Sequence, residues 1–229
     1  MGHVKKRRDL RHPKPAAIDR LELWFSTSRN IDGLWVGTME GSPHPGLCRV
    51  EEALQLIRKY DPLHYSRVTK NLKRIWVRLL TGNLAQYERS LMACVLDERY
   101  VVQDTTTIEW IASTIVHEAT HARLEGWGVL YEEKKRARIE AICIRRERDF
   151  VTKLPGGEVL QEEAARRLEW CVGDHDYFSK ASFQQRWVEG QIEAFRYLGA
   201  PDWVFGFMMK LRAVRLWVQS LVGRGGKQA

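Results

Sequence analysis

Two histidines four residues apart, His117 and His121, limit the possible structures of this chain more than any other feature of its sequence. They belong to the segment His-Glu-Ala-Thr-His, an H-E-x-x-H motif in a stretch with helical periodicity. On a helix, residues four apart share a face, with Cβ atoms about 5–6 Å apart. Both imidazoles can therefore reach one zinc ion at bonds of about 2.0–2.1 Å. Glu118 is then placed to act as general base on a zinc-bound water.

Signals at both ends of the motif segment predict that it is helical. Thr106 and Glu109 have the spacing of a capping box, which predicts a helix start at Thr107 or Ile108. Gly126 predicts the end of the helix. Between these signals, apolar residues at spacings of three and four predict one buried face. These residues are Ile108, Ile111, Ile115, Ala119 and Ala122.

The two histidines lie on the opposite side of this helix, in a stripe with Trp110, Thr114 and Leu124. An ordinary solvated face is not expected to carry such residues around two histidines. We therefore expect this stripe to form the floor of a cleft with a metal site. The alternatives are two solvated histidines on a surface helix, or buried histidines whose hydrogen bonds are purely structural.

A second predicted helix, Leu130 to Leu154, offers a third metal ligand. Glu140 lies near the middle of its apolar arc, where an ionised carboxylate is costly unless it is paired or binds a metal. Glu133 and Glu147 lie on the same side of this helix. An antiparallel hairpin with a rise of about 1.5 Å per residue places the histidines opposite residues in the high 130s.

In that register Glu133 falls short of the histidines and Glu147 overshoots them by about two turns. Glu140 is therefore the predicted third ligand. The alternative for Glu140 is a buried salt bridge to an arginine such as Arg136.

This pattern, an H-E-x-x-H helix with a glutamate 19 positions beyond His121, resembles the gluzincin branch of the zincin metallopeptidases. The wider segment I-V-H-E-A-T-H-A-R-L is similar to uncharacterised bacterial proteins. The resemblance covers about residues 74 to 150. It implies one Zn²⁺ with His117, His121 and Glu140 as ligands, Glu118 as the catalytic base, and a peptide or protein substrate. The residues after Glu140 are Ala-Ile-Cys, which departs from the Ala-Asp pair common in gluzincins, and no third histidine of the metzincin type follows His121.

Weaker patterns elsewhere predict the other elements of the fold. Helices are expected at about Val50 to Tyr60, Val159 to Trp170 and Phe183 to Tyr197, and strands at Arg74 to Leu80 and Ala93 to Val102. The expected class is α+β: a mostly helical single domain with a small twisted sheet packed on the H-E-x-x-H helix, as in zincins. Leu96 to Val102 is either a sheet edge that pairs with substrate or an ordinary internal strand.

Length and composition favour one globular domain, because 229 residues with 44% apolar and 29% charged residues can bury a core. We expect this domain at residues 18–222, between a mobile basic tail at residues 1–17 and a frayed end at residues 223–229. The segment Trp203 to Val222 is apolar, but three basic residues interrupt it, so a packed amphipathic helix is expected rather than a transmembrane segment.

Charge and cysteine content bear on partners and compartment. The net charge of +8 comes largely from the first 14 residues, and no nucleic-acid-binding module is visible, so no specific nucleic-acid partner is predicted. Four widely spaced cysteines without a C-x-x-C pair favour a reducing compartment. Because the N-terminus has no secretory signal, a cytoplasmic location is expected.

Two further residues, His175 and Tyr177, are weak candidates to stabilise an oxyanion, although a capped turn explains their segment as well. The function that the sequence predicts is zinc-dependent peptide-bond hydrolysis. The competing hypothesis is a non-catalytic, zinc-stabilised helical scaffold or partner-binding protein. A third hypothesis is a metal-independent protein that its basic tail recruits to anionic surfaces.

Overall fold

A five-stranded mixed sheet lies at the centre of the computed structural model, which describes residues 12–41, 43–173, 176–201 and 203. The strands are β1 (Thr27–Ile31), β2 (Leu34–Thr38), β3 (Arg74–Arg78), β4 (Ala85–Glu88) and β5 (Ala93–Asp97). Their order is β1-β2-β3-β5-β4, in which β2, β3 and β5 are parallel and the outer strands β1 and β4 are antiparallel to their neighbours. Within the described part of the chain, β4 therefore forms one edge of the sheet.

Helices account for most of the remaining described residues. They are α1 (Ala17–Phe25), α2 (Pro45–Tyr60), α3 (Pro62–Asn71), α4 (Glu98–Val102), α5 (Ile108–Gly126), α6 (Arg136–Val151), α7 (Glu158–Val172) and α8 (Lys180–Tyr197). Short 3-10 turns lie at Glu133–Lys135 and Asp176–Phe178. The predicted class, a mostly helical α+β domain with a small sheet, is confirmed.

The two faces of the sheet are covered by different helices because side chains alternate along each strand. Ile75 and Val77 of β3 join the main core, where α2, α3 and α5 pack. Trp76, between them, belongs to a smaller core on the opposite face, and Leu23 of α1 packs against it. Helix α5, which carries the H-E-x-x-H motif, and helix α1 consequently lie on opposite faces of the sheet.

Helix α5 begins and ends where the sequence predicts. Its capping residue is Thr107, whose hydroxyl accepts from the Trp110 backbone N–H at 3.4 Å. Thr106 instead accepts from the side-chain amide of Gln103. Four of the five residues of the predicted apolar face are buried, and Ile108 is partly buried.

The strand predicted at Ala93 to Val102 is wrong in its second half. β5 ends at Asp97, and the carboxylate of Asp97 accepts from the backbone N–H groups of Arg99 and Tyr100, which starts α4. β5 also lies between β3 and β4, so Leu96 to Val102 does not form a sheet edge. The edge on this side of the sheet is β4, which was not among the predicted strands.

The other predicted elements are present, with different bounds. The strand at Arg74 to Leu80 corresponds to β3, and the helices at Val50 to Tyr60, Val159 to Trp170 and Phe183 to Tyr197 fall within α2, α7 and α8. The helix predicted from Leu130 begins only at Arg136, after a 3-10 turn.

Helix α8 crosses the loop after β3 at Gly190. A Cβ atom at this position would overlap the backbone of Gly82, so the close approach requires glycine. This crossing brings the first turns of α8 over the sheet edge.

Some predictions concern residues outside the described part of the chain. The basic tail falls there except for residues 12–17, as do the frayed end at residues 223–229 and the apolar segment Trp203 to Val222 apart from Trp203. No helix within the described ranges is both long and apolar enough to span a membrane.

Asp61 joins three elements at the corner between α2 and α3. Its carboxylate caps α3 by accepting from the His64 backbone N–H at 3.1 Å, and it contacts His64 Nδ1 at 2.5 Å and Lys153 Nζ at 2.7 Å. Burial raises the pKa of Asp61, but the hydrogen bonds from Lys153 and His64 outweigh burial and leave the pKa below its usual value.

Replacing Asp61 with Ala should lower the free energy of unfolding by about 2–3 kcal/mol, since a helix cap and buried charge-assisted hydrogen bonds are lost together. Because the folded pKa is depressed, this contribution is present above the unfolded pKa of about 3.9 and is lost as pH falls through the folded pKa. Urea denaturation of both proteins from pH 7 to pH 3 measures it. Asp61→Asn keeps the helix cap, so its free energy of unfolding should lie between those of the unsubstituted protein and Asp61→Ala. If the difference in free energy of unfolding between those two proteins stays constant down to pH 3, the role assigned to the Asp61 carboxylate is contradicted.

Candidate metal centre and its cavity

Three side chains from two antiparallel helices converge at one point. His117 and His121 of α5 place their Nε2 atoms 3.2 Å apart. Glu140 of α6 reaches both rings, with Oε2 at 3.2 Å from His117 Nε2 and Oε1 at 3.4 Å from His121 Nε2. The structure therefore brings together all three residues that the sequence predicts as ligands.

The spacing of these atoms fits a zinc ion. Four ligands placed tetrahedrally at about 2.0–2.1 Å from zinc lie about 3.3–3.4 Å from one another. The two histidine nitrogens lie 3.2 Å apart, and Glu140 approaches them with different oxygens, Oε2 at 3.2 Å from His117 and Oε1 at 3.4 Å from His121. Two imidazole nitrogens with one carboxylate form a ligand set that zinc commonly takes. The residues present thus fit the predicted group.

Glu140 does not form the alternative salt bridge with Arg136. Its carboxylate contacts the two histidines and accepts from the hydroxyl of Tyr131 at 2.5 Å. The guanidinium of Arg136 donates instead to the backbone carbonyl of Phe178. Tyr131 also places its ring edge-on against His121, with centroids 5.4 Å apart. Tyr131 was not predicted as a site residue, since the sequence pattern placed it inside the helix expected from Leu130, whereas it lies before α6.

Glu147 holds the other nitrogen of His117. Its Oε2 lies 3.1 Å from His117 Nδ1, while its Oε1 accepts from Ser113 Oγ at 2.9 Å and from Arg167 Nη1 at 2.8 Å. An imidazole held in this way at Nδ1 presents Nε2 to a metal, and such partners orient the ligand and raise its basicity. Glu147 is buried at the helix interface, with 3% of its surface exposed.

Glu147 was not predicted as a metal ligand, because helical rise places it about two turns beyond the histidines along the second helix. That distance along α6 is real, but the two nitrogens of an imidazole point in different directions. Nε2 of His117 faces Glu140, whereas Nδ1 faces back toward the turn of α5 that contains Ser113, which is where Glu147 lies.

The two carboxylates around His117 strongly favour a proton or a metal cation at this position. Burial alone would lower the pKa of His117, but hydrogen bonds to Glu140 and Glu147 raise it to about 10. Burial would likewise raise the pKa of Glu140, yet its hydrogen bonds to the two histidines hold that pKa well below the usual value. A buried cluster of this kind is stable only when a proton or a metal balances its carboxylates.

Glu118 lies beside the three converging side chains and lines the same cavity. Burial raises the pKa of its carboxyl group, against the opposing effect of the two histidines. The backbone N–H of Tyr87 in β4 donates to this carboxylate, so the sheet edge helps to orient it. A glutamate with a raised pKa is suited to exchange protons near neutral pH.

Cys143 of α6 is a fourth potential ligand, which was not among the predicted metal ligands. Its Sγ and one nitrogen of each histidine all lie within 4.8 Å of one another. Burial raises the pKa of this thiol well above its usual value, and the charges of Glu140 and Glu118 raise it further. These effects oppose the thiolate form that metals bind.

A cavity of about 810 Å³ opens next to this cluster. It is bounded by β4, α5, α6, α7, the second 3-10 turn and α8. Residues that line it include Gln86, Tyr87, Glu118, His121, Tyr131, Glu140, Trp170, Tyr177 and Arg186. Of the two oxyanion candidates, Tyr177 is part of this wall, and His175 lies outside the described residues.

Comparisons with protein-family models, with curated proteins and with solved structures find no match for this chain. The resemblance to gluzincins therefore stays a prediction that rests on the motif and on the geometry described above.

Replacing Glu147 with Gln should weaken zinc binding by about 10–100-fold, because the amide keeps a hydrogen-bond acceptor for His117 Nδ1 but removes the charge that raises its basicity. Competition with a chelator measures this affinity. Glu163→Gln on α7 is the matched control, since Glu163 pairs only with the exposed Arg166 among the described ion pairs. Equal affinities of Glu147→Gln and the unsubstituted protein would show that Glu147 does not support the metal.

Proposed function

We propose that this protein is a zinc-dependent hydrolase of peptide bonds. The observation that carries the proposal is the convergence of His117 Nε2, His121 Nε2 and the Glu140 carboxylate within 3.2–3.4 Å, with Glu118 on the wall of the same cavity. Three protein ligands leave the fourth position of a tetrahedral ion for water or substrate, as catalytic zinc sites do.

Each residue then has a chemical role. His117, His121 and Glu140 would hold the zinc ion, which would supply Lewis acidity toward a carbonyl group and a water molecule. Glu118 takes the proton from the attacking water and passes it to the leaving amine. Its raised pKa makes the carboxylate a stronger base toward the proton of the attacking water. Glu147 and Tyr131 hold the ligands His117 and Glu140 in place.

The edge strand β4 supports a peptide as substrate. The Leu84 carbonyl accepts from Asp97 on the β5 side, so the backbone groups of Ala85 and the carbonyl of Tyr87 point away from β5 by alternation, while the Tyr87 N–H donates to Glu118. Residues Asn83 to Tyr87, except Leu84, line the cavity. An extended peptide can pair with such an edge, where backbone hydrogen bonds give affinity without requiring a particular sequence.

A cytoplasmic site of action belongs to the same proposal. The four cysteines are free thiols, and three of them are buried. Such residues persist as thiols in a reducing compartment.

Glu118→Gln should retain zinc and lose hydrolysis of a peptide library by at least about 10²-fold, because the general base is removed while the ligands remain. His121→Ala should lose the metal as well as turnover. Elemental analysis of the purified variants, together with peptide cleavage with and without a chelator, measures both effects.

Glu109→Gln is the matched control for these variants, since Glu109 lies on α5 but outside the cavity wall. It should keep both zinc and activity. Full turnover by Glu118→Gln refutes the role of Glu118, and a zinc-free protein that still cleaves peptides refutes the metal mechanism.

A second function, a zinc-stabilised scaffold without catalysis, is favoured by the position of Cys143. If its thiolate joined the two histidines and Glu140, four protein ligands would close the coordination sphere, as in structural zinc sites. We favour the hydrolase, because the Glu140 carboxylate contacts both histidines and Glu118 lies on the wall of the adjacent cavity.

Cys143→Ser separates the two functions. In the hydrolase, the variant should bind zinc with an affinity within about threefold of the unsubstituted protein, because three ligands are untouched. The cobalt-substituted protein should show no thiolate-to-metal charge-transfer absorption. Strong absorption of that kind, abolished by Cys143→Ser, would establish the closed structural site. Cys171→Ser, another buried cysteine, is the control for general effects of removing a thiol.

A further inference from the structure

A second, smaller pocket of about 100 Å³ lies between α3, α5 and α6. Among the described residues, no aspartate or glutamate lines it, and Leu124 is the one residue that it shares with the wall of the main cavity. Its charged and polar lining consists of three arginines, one histidine and one threonine, which are Arg67, Arg123, Arg146, His64 and Thr120. The pocket is therefore distinct from the candidate metal centre and has a strongly positive lining.

A buried pair of residues behind the pocket orients Arg67. Its Nη1 lies 3.2 Å from His64 Nε2. Because a guanidinium has only donors, Nε2 accepts this hydrogen bond, and the ring proton lies on Nδ1, which donates to Asp61 at 2.5 Å. Burial lowers the pKa of His64, and this effect, with the charges of Arg67 and Lys153, outweighs the hydrogen bond to Asp61. His64 is thus a neutral acceptor that fixes Arg67 without balancing its charge.

Arg123 faces the same pocket from α5 and has no carboxylate partner among the described residues. Its guanidinium lies over the Trp127 ring, 4.4 Å from the centroid. Burial lowers the pKa of Arg123, and the charges of Arg67 and Arg146 lower it further. Arg146 is the one member of the three with an acidic partner, Asp149 at 2.8 Å. Two unbalanced guanidinium groups and a third nearby repel one another unless an anion binds between them.

The remainder of the sequence supplies little of the missing negative charge. Five lysines and arginines lie in residues 1–11 and five more in residues 204–229. Outside the described part of the chain there are only three acidic side chains, which are Asp9, Asp174 and Asp202. An anion from solution therefore matches the charge of the pocket better than these segments do.

We propose that this pocket binds a phosphate group, as inorganic phosphate or as the terminal group of a small phosphate monoester. The planar fork of an arginine can donate two parallel hydrogen bonds to phosphate oxygens, and Arg67 and Arg123 approach from two different helices. Pockets that enclose whole small molecules measure about 300–1,000 Å³. The volume here is about 100 Å³, so the phosphate group enters and the rest of a monoester stays outside. This binding does not depend on the proposed hydrolase activity.

Calorimetric titration of the full chain with inorganic phosphate, and separately with glycerol phosphate, tests the proposal. Both ligands should bind. Arg67→Gln and Arg123→Gln should each weaken binding of either ligand by about tenfold or more, because charge-assisted hydrogen bonds are lost. Arg123→Lys keeps the charge but loses the two-pronged geometry, so its affinity should lie between those of Arg123→Gln and the unsubstituted protein.

Arg148→Gln is the matched control, because Arg148 is an exposed arginine on α6 that does not line the pocket. It should bind phosphate like the unsubstituted protein. The proposal is overturned if neither ligand binds, or if Arg67→Gln and Arg123→Gln bind as tightly as the unsubstituted protein. Phosphate binding that a metal chelator abolishes and that both arginine variants retain also overturns it, since the anion would then occupy the metal centre.

Discussion

One imidazole held between two carboxylates is the interaction on which the arrangement of α5 and α6 depends. His117 contacts Glu140 through Nε2 and Glu147 through Nδ1, so the two helices share a charged interface inside the protein. Burying carboxylates costs free energy unless hydrogen bonds and opposite charges satisfy them. Arg167 and Ser113 do this for Glu147, and Tyr131 and His121 do it for Glu140. A shift of either helix by one residue would break several of these contacts together, so the charges fix the register.

The sheet edge borders this interface on the side of the cavity. β4 is an edge strand, and the backbone N–H of Tyr87 reaches the Glu118 carboxylate that faces the cavity. The opposite face of the sheet carries α1, with acidic residues turned inward and apolar residues outward. One sheet therefore separates the cavity from the outward-facing side of α1.

Much of the candidate site could be predicted because its determinants are local. Residues four apart on a helix share a face, which pairs His117 with His121. A glutamate in the middle of an apolar arc must find a partner, which singles out Glu140. Helical rise then gives the level at which α6 meets α5. The small strand β4 was missed for the opposite reason. Its four residues, Ala-Gln-Tyr-Glu, are too few for their alternation to distinguish a strand from a loop, and the structure leaves all four at intermediate burial.

The sequence alone determined the helix of the H-E-x-x-H motif, the shared face of its two histidines and the choice of the third carboxylate. These features follow from periodicity, capping and the cost of burying charge, which act over a few residues. The tertiary structure decided which nitrogen of His117 contacts which carboxylate. It also decided that β5 ends at Asp97, where α4 begins, and that β4 pairs outside β5 and forms that edge of the sheet. It further decided which side of α1 faces the sheet, because Arg78 binds Asp19 and Glu22, which lie 59 and 56 positions before it along the chain. Contacts between distant segments depend on the whole packing, and no short stretch of residues encodes them.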